Sequence, residues 1–258
     1  MLNETTVTPL ENLSLTIDAG VDLNIDILDE NDTLALRNRQ RMEAAGVRCV
    51  NIMSSPGSGK TTLLEATLNR LQTVGPVPPG LGARGPEPRA NGPLSVGILE
   101  GDMTTELDAD RLRACGAPVV AITTGRSCHL EADQIAAGLD KLGADGGLGK
   151  FDLMVIENVG NLICPAAYDL GEHTRVVLVA VTEGEDKPLK YPIMFHGADC
   201  VVVTKLDLAP YLRLDIDKLM ANIKQVNATA TVMAVSSESG QGMDTWIDWL
   251  RAETAKGK

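Results

Sequence analysis

Apolar runs rich in Val, Ile and Leu recur along this chain and alternate with segments of helical periodicity. The runs fit strands at 47–53, 95–100, 118–123, 152–157, 175–182, 200–204 and 229–236. Helical patterns fit 61–73, 108–115, 130–142, 214–226 and 243–256. An earlier helix starts at Asn31 or Asp32, either of which can cap it, and runs to about Ala45 with Gly46 as its stop. The strand runs are near-continuous rather than alternating, the mark of strands covered on both faces. This order predicts an α/β chain with a mostly parallel central sheet flanked by helices, in three layers.

Two stretches fall outside the alternation. Residues 1–30 are polar and weakly periodic and read as an N-terminal arm, leaving 31–258 as one domain. The segment GPVPPGLGARGPEPRANGP, 75–93, lacks any period and reads as a surface insertion with no part in the core.

Composition narrows the classes of function. Among 258 residues, 23 Lys and Arg face 35 Asp and Glu, a net charge of −12, which argues against nucleic acid and against an anionic membrane surface as partners. No apolar run reaches the length of a membrane span, and the acidic start MLNETTVTPLENLS lacks the features of a signal peptide, so a cytoplasmic protein is expected. Aromatics are only 3% of residues, so the core must be aliphatic. Five cysteines suit metal, catalysis or packing better than a disulfide frame in such a compartment.

Between the first strand run and the helix at 61–73 stands Ser54-Ser-Pro-Gly-Ser-Gly-Lys-Thr-Thr62, a match to G-x-x-x-x-G-K-[ST] whose first glycine is replaced by Ser54. Backbone N–H groups around Gly57, Ser58, Gly59 and Thr62, at a helix N-terminus, suit phosphates. Lys60 is the candidate to neutralise the β- and γ-phosphates, and Thr61 to ligate Mg²⁺. The fold expected is therefore the P-loop NTPase fold.

The run Val201-Val-Val-Thr-Lys-Leu-Asp207 ends in T-K-x-D, similar to the N-K-x-D motif of GTPases with Thr204 in place of Asn. A carboxylate at Asp207 can accept both N1–H and the 2-amino group of guanine, and adenine lacks that pair of donors. GTP and GDP are thus expected over ATP, with the Lys205 stem over the base. Val235-Ser236-Ser237-Glu-Ser-Gly240 resembles the loop that contacts the guanine carbonyl. Two acids close strands beside the loop: Asp102, assigned to a switch and to positioning water, and Glu157, assigned to Mg²⁺, with the two roles interchangeable on sequence alone.

Ser127-Cys128-His129-Leu130 and Asn161-Leu-Ile-Cys164-Pro165 each follow a strand end on the same side of the sheet. Two thiolates and an imidazole suit Zn²⁺ or Ni²⁺, while buried packing of the cysteines is the plainer alternative. Three ligands leave a site incomplete, which a two-fold homodimer would complete. Cys49, Cys115 and Cys200 read as core, and His173 and His196 as surface or core residues.

Taken together, NIMSSPGSGKTTLLEATL, ILEGDMTTELDADRLRACGAP, TTGRSCHLEADQIAAGL, VIENVGNLICPAAYDLGE, VTEGEDKPLKYP and VSSESGQGMDTWIDWLRA resemble the hydrogenase nickel-incorporation GTPases of the HypB family, from about Asp29 to Ala252. The resemblance implies GTP hydrolysis, a homodimer favoured by GTP and metal, and metal at Cys128, His129 and Cys164. It further implies Ni²⁺ delivery during [NiFe]-hydrogenase maturation, alongside a scaffold protein and a nickel chaperone. Residues 1–48 carry no Cys or His, so the family's N-terminal metal motif and a storage role are not expected. The rival readings are a urease-type nickel-delivery GTPase, whose metal motif reads C-P-H in one segment, and a nucleotide-gated metal-binding module with negligible turnover.

Overall fold

The computed structural model describes residues 19–72 and 92–257, with side chains from residue 28 onward except at 72. In chain order the elements are α1 (Ala19–Ala44), β1 (Arg48–Ser54), α2 (Lys60–Gln72), β2 (Val96–Asp102), α3 (Leu107–Ala114), β3 (Val119–Thr123), α4 (Ala132–Gly143), β4 (Leu153–Glu157), β5 (Thr174–Ala180), α5 (Lys187–Lys190), α6 (Pro192–His196), β6 (Cys200–Thr204), α7 (Ile216–Val226), β7 (Thr231–Ala234) and α8 (Met243–Ala255). The seven strands pair in the order β3-β2-β4-β1-β5-β6-β7, and every pairing is parallel. The expected α/β architecture is therefore present, with a sheet that is wholly rather than mostly parallel.

Side chains alternate between the two faces, so each apolar strand feeds two cores. Val50, Ile52, Val155, Leu178 and Val202 pack with α2, α3 and α8 through Leu63, Leu112 and Trp246. On the opposite face Cys49, Leu99 and Met154 meet Met42 of α1 and Leu139 of α4, while Val177 and Val203 meet Phe195 and Leu219. Burial of each such aliphatic side chain contributes about 1.5–3 kcal/mol. The Trp246 indole also donates to the Thr67 hydroxyl at 2.9 Å, fastening α8 to α2.

Register brings the functional ends level. Glu100 lies opposite Glu157, Asp102 opposite Thr123, Ser54 opposite Leu178 and Ala180 opposite Thr204. The strand order diverges from β1, with β4, β2 and β3 on one side and β5, β6 and β7 on the other. In an open parallel sheet the crevice at the carboxyl ends beside such a point is the ligand position.

One expectation is corrected. The first helix begins at Ala19, not at Asn31 or Asp32, so residues 19–30 and 31–44 form one helix. Asn31 is inside it and its side chain bonds elsewhere. Gly46, at φ +68°, is the stop as expected. Residues 1–18 of the arm, and the 75–93 insertion apart from 92 and 93, lie outside the described residues. The short helices α5 and α6 had no periodic signal. Among the described residues no helix is long and apolar enough to cross a membrane.

Candidate functional site

The glycine-rich loop joins β1 to the first turn of α2. Gly57 and Gly59 both have positive φ, +76° and +92°, conformations that L side chains rarely adopt. An arch of this kind at the N-terminus of α2 is a setting that favours an anion. Lys60 opens the helix, and its ammonium lies 3.3 Å from the Ser54 hydroxyl. Burial pulls the Lys60 pKa down, while Glu157, Asp108, Glu100 and Asp102 oppose that.

Those four acids follow from the level strand ends and the start of α3. Thr61 donates to Glu157 Oε1 at 2.7 Å. Burial pushes the Glu157 carboxyl up to about 7 against the pull of Lys60 and Thr61. Glu100 rises to about 8, through burial and the charges of Glu157 and Asp102. Oxygens of Glu100, Asp102 and Asp108 come within 4.8 Å of one another. The second oxygens of Glu100 and Glu157 are buried without a hydrogen-bond partner. A buried, unpaired Glu157 oxygen beside the Thr61 hydroxyl, with that of Glu100 from the neighbouring strand end, fits a hard divalent cation such as Mg²⁺. Asp102 Oδ1 accepts the N–H groups of Thr104 and Thr105, at 2.8 and 3.2 Å, and so heads the turn into α3. Thr62 faces outward, with Arg111 Nη2 3.3 Å from its hydroxyl.

The T-K-x-D segment closes over the loop from β6. Lys205 has φ +59°, the non-glycine left-handed residue among those described. That turn sends its ammonium to the Gly57 carbonyl at 2.7 Å, with Cε 3.8 Å from where a side chain on Gly59 would begin. Asp207 Oδ1 accepts the Ser236 hydroxyl at 2.6 Å, so Asp207 and the buried Ser236 form one unit, with Ser237 half-buried next to it. Glu183 is a further contact: Oε1 accepts from the Ser58 hydroxyl at 2.7 Å and from Ala180 N–H at 2.9 Å.

The Cys/His group sits beyond the ends of β3 and β4. Cys128 and Cys164 Sγ are 3.1 Å apart, too far for a disulfide at about 2.05 Å. His129 Nδ1 is 4.0 Å from Cys128 Sγ. The three residues offer ligand atoms within 4.8 Å of one another, all half-buried. The turn that this needs is held by Asn161, which donates to the Cys128 carbonyl at 3.2 Å. The His129 ring stacks on Tyr168 with centroids 3.9 Å apart and 27° between planes. The neighbouring Cys164 sulfur, with burial, raises the Cys128 thiol pKa. Two sulfurs and an imidazole nitrogen at this spacing form a donor set for Zn²⁺ or Ni²⁺.

The two groups share one segment. Glu157 begins it, Gly160 packs so closely on Pro56 that a Cβ would stand 3.0 Å from Pro56 Cα, Asn161 holds Cys128, and Cys164 ends it. The other sulfurs and rings stay apart. Cys49 and Cys200 are wholly buried among apolar side chains, and burial pushes the Cys200 thiol up to about 12. His173 is a core residue whose Nδ1 accepts the Cys49 N–H at 2.9 Å, and His196 is exposed. Sequence reasoning passed over Glu100, Asp108, Glu183 and Tyr168 as site residues. A lone acid closing the apolar run VGIL marks Glu100; the other three have no comparable signal.

A family profile described as "CobW/HypB/UreG, nucleotide-binding domain" matches residues 87–234. The chain is 43% identical to hydrogenase maturation factor HypB of Escherichia coli (strain K12), over 90% of this chain and 72% of that one. It is 36% identical to the hydrogenase/urease maturation factor HypB of Helicobacter pylori, over 87% of this chain and 84% of that one. It also superposes on the crystal structure of HypB from Helicobacter pylori in complex with nickel, with a TM-score of 0.77 and 35% identity, covering 88% of this chain and 96% of that chain.

Proposed function

The chain belongs to the HypB family of hydrogenase maturation factors, and from that premise we propose that it is a GTP-hydrolysing metallochaperone that delivers Ni²⁺ during [NiFe]-hydrogenase maturation. The observation that carries the reading is the shared segment Glu157–Cys164, which accepts from Thr61 at one end and meets Cys128 Sγ at 3.1 Å at the other.

In this reading Gly57 to Thr62 cradle the phosphates and the Lys60 ammonium neutralises their charge. Lys205 and Asp207 hold guanine, with Ser236 orienting the Asp207 carboxylate and Ser237 beside it. Thr61, Glu157 and Asp102 would hold Mg²⁺, which would supply charge neutralisation at the phosphates. Asp102 also orients the attacking water from the head of its turn. Loss of the γ-phosphate releases the Glu157 end of the segment, and Gly160 against Pro56 carries the shift toward Cys164. Cys128, His129 and Cys164 take Ni²⁺ as cargo, with Zn²⁺ as an alternative occupant, and a second copy of the chain completes the site at a two-fold face. A scaffold protein and a nickel chaperone would act with it in the cytoplasm.

Coupling between the two sites must be reciprocal. Ni²⁺ affinity, measured with GDP and with a non-hydrolysable GTP analogue, should differ between the two states. Equal affinities would sink the mechanism. Phosphate release from GTP should be measurable and lost in Lys60→Ala; no release in the intact chain would leave a nucleotide-gated binding module. The Helicobacter pylori relative's joint hydrogenase/urease name favours one second reading, delivery to urease, which restoration of urease rather than hydrogenase activity in a deletion strain would establish.

A further inference from the structure

Building on the metal-handling function proposed above, we propose that Asn31 and Asn38 of α1 are positioning residues for Cys128, His129 and Cys164. They lock together the two segments that carry those ligands.

The two asparagines are seven residues apart on one face of α1, and both are buried. Between them they hold both main-chain groups of Ala132. Asn31 Oδ1 accepts the Ala132 N–H at 2.9 Å, and Asn38 Nδ2 donates to the Ala132 carbonyl at 2.7 Å. Ala132 opens α4, three residues beyond His129. The same two side chains reach the other segment: Asn31 Nδ2 donates to the Asp169 carbonyl at 2.8 Å, and Asn38 Nδ2 to that of Leu170 at 3.3 Å. Those carbonyls follow Cys164 by five and six residues and adjoin Tyr168, whose ring stacks on His129.

The metal ligands are thus bridged twice. Near the sulfurs the ties are the Asn161–Cys128 hydrogen bond and the Tyr168–His129 stack. Farther back the tie is α1. Its contact with the loop has no slack: Gly171 is at φ +90°, and a Cβ there would lie 2.5 Å from the Ala35 carbonyl oxygen and 2.7 Å from Asn38 Cβ. Arg39 adds a pair to Asp169 at 2.8 Å. A side chain without an amide at 31 or 38 would leave buried main-chain groups unpaired, and the two segments would separate or shift to find water. The hydrogen bonds of both asparagines go to residues 132, 169 and 170 and none to the glycine-rich loop, so nucleotide binding stands apart from this bracing.

The test is Asn31→Ala and Asn38→Ala in the full chain, with Ni²⁺ titrated against a competing chromophoric chelator and GDP affinity measured in parallel. Groups bonded directly to metal ligands contribute about 10–100-fold in affinity, and because these asparagines act one layer farther out, a loss of about 10-fold, the lower end of that range, is expected. GDP affinity should stay at the wild-type value. At saturating Ni²⁺ the thiolate-to-nickel absorption should also change, and Asn31→Gln, which keeps the amide, should recover part of the loss. Should Asn38→Ala fail to fold, Asn31→Ser carries the same test. A folded Asn31 variant with wild-type Ni²⁺ affinity and spectrum overturns the inference alone. Wild type and Cys164→Ser binding Ni²⁺ equally would overturn the proposed function, and this inference with it.

Discussion

The hydroxyl of Thr204, at the carboxyl end of β6, donates to the main-chain carbonyl of Ser58 at 2.6 Å. Thr204 stands where GTPases of the N-K-x-D pattern carry Asn, and here the shorter side chain still reaches the phosphate loop. Together with Lys205 on the Gly57 carbonyl, it ties the end of β6 to the glycine-rich loop.

Thr204→Val keeps the side chain's outline and removes the donor. The buried Ser58 carbonyl then loses a partner, at a cost of about 1 kcal/mol. GTP affinity, followed with a fluorescent analogue, should fall about fivefold, with the Ni²⁺ affinity of the nucleotide-free chain unchanged.

Guanine selection should rest on the Asp207 carboxylate. Asp207→Asn replaces one acceptor by a donor, and hydrogen bonds to a charged group contribute about 1.5–3 kcal/mol. GTP affinity should fall roughly 10–100-fold while ATP affinity holds, narrowing the ratio between them. Ser236→Ala, which frees the carboxylate from its 2.6 Å tie, should have the same sign and a smaller size. An unchanged GTP-to-ATP ratio in Asp207→Asn would refute this role.

The parallel sheet was legible because strands buried on both faces show unbroken aliphatic runs, and the six predicted strands beyond β1 all formed near their expected bounds. The glycine-rich loop between β1 and α2 was legible because glycine, lysine and threonine in fixed order between a strand and a helix form a specific pattern, and both Gly57 and Gly59 take positive φ there. The start of α1 was not, since Asn31 has the chemistry of a cap but spends its amide on Ala132 and Asp169, a tertiary use that local propensity cannot reveal. The convergence of Cys128 with Cys164 needed two strands separated in sequence to be placed on the same side of β1, which spacing alone leaves open. Glu183 and Tyr168 escaped for the same reason: their roles lie in contacts made across more than 35 residues of chain.

Cys164→Ser should separate a ligand from a packing residue. Cys164 is half-buried and lies outside the three apolar clusters, whereas Cys200 is wholly inside one. Ni²⁺ affinity of Cys164→Ser should drop by more than the 10–100-fold attributed to outer partners, with thermal stability and GTP affinity close to wild type. Cys200→Ser should do the reverse, losing about 1 kcal/mol or more of stability by burying a hydroxyl among aliphatic groups, and leaving metal affinity intact. A Cys164→Ser chain that unfolds would support packing over ligation.

The acids behind Lys60 contribute a pH dependence of definite sign to the ligand-free chain, opposed by Lys60 itself, whose burial-lowered pKa gives a contribution that grows as pH rises toward 10.5. Glu157 and Glu100 titrate near 7 and 8 in the fold against 4.5 in an unfolded chain, so the native state holds more protons between those values. Their contribution is complete below 4.5 and is lost as pH rises through 7 and 8. His173 acts oppositely, because burial takes it from 6.5 to about 4 and its contribution is lost only as pH falls through that window. Above 6.5 the two glutamates therefore act without opposition from His173. Stability measured by thermal or urea unfolding in chelator should decline between pH 6.5 and 8, by an amount on the order of 1–2 kcal/mol. Glu157→Gln, which keeps the acceptor for Thr61, should flatten the slope. Mg²⁺ would require the Glu157 carboxylate ionised, so Mg²⁺-nucleotide binding near pH 7 should release protons and strengthen as pH rises. Titration calorimetry in buffers of different ionisation enthalpy would count those protons, and a release that persists undiminished in Glu157→Gln would place their source elsewhere.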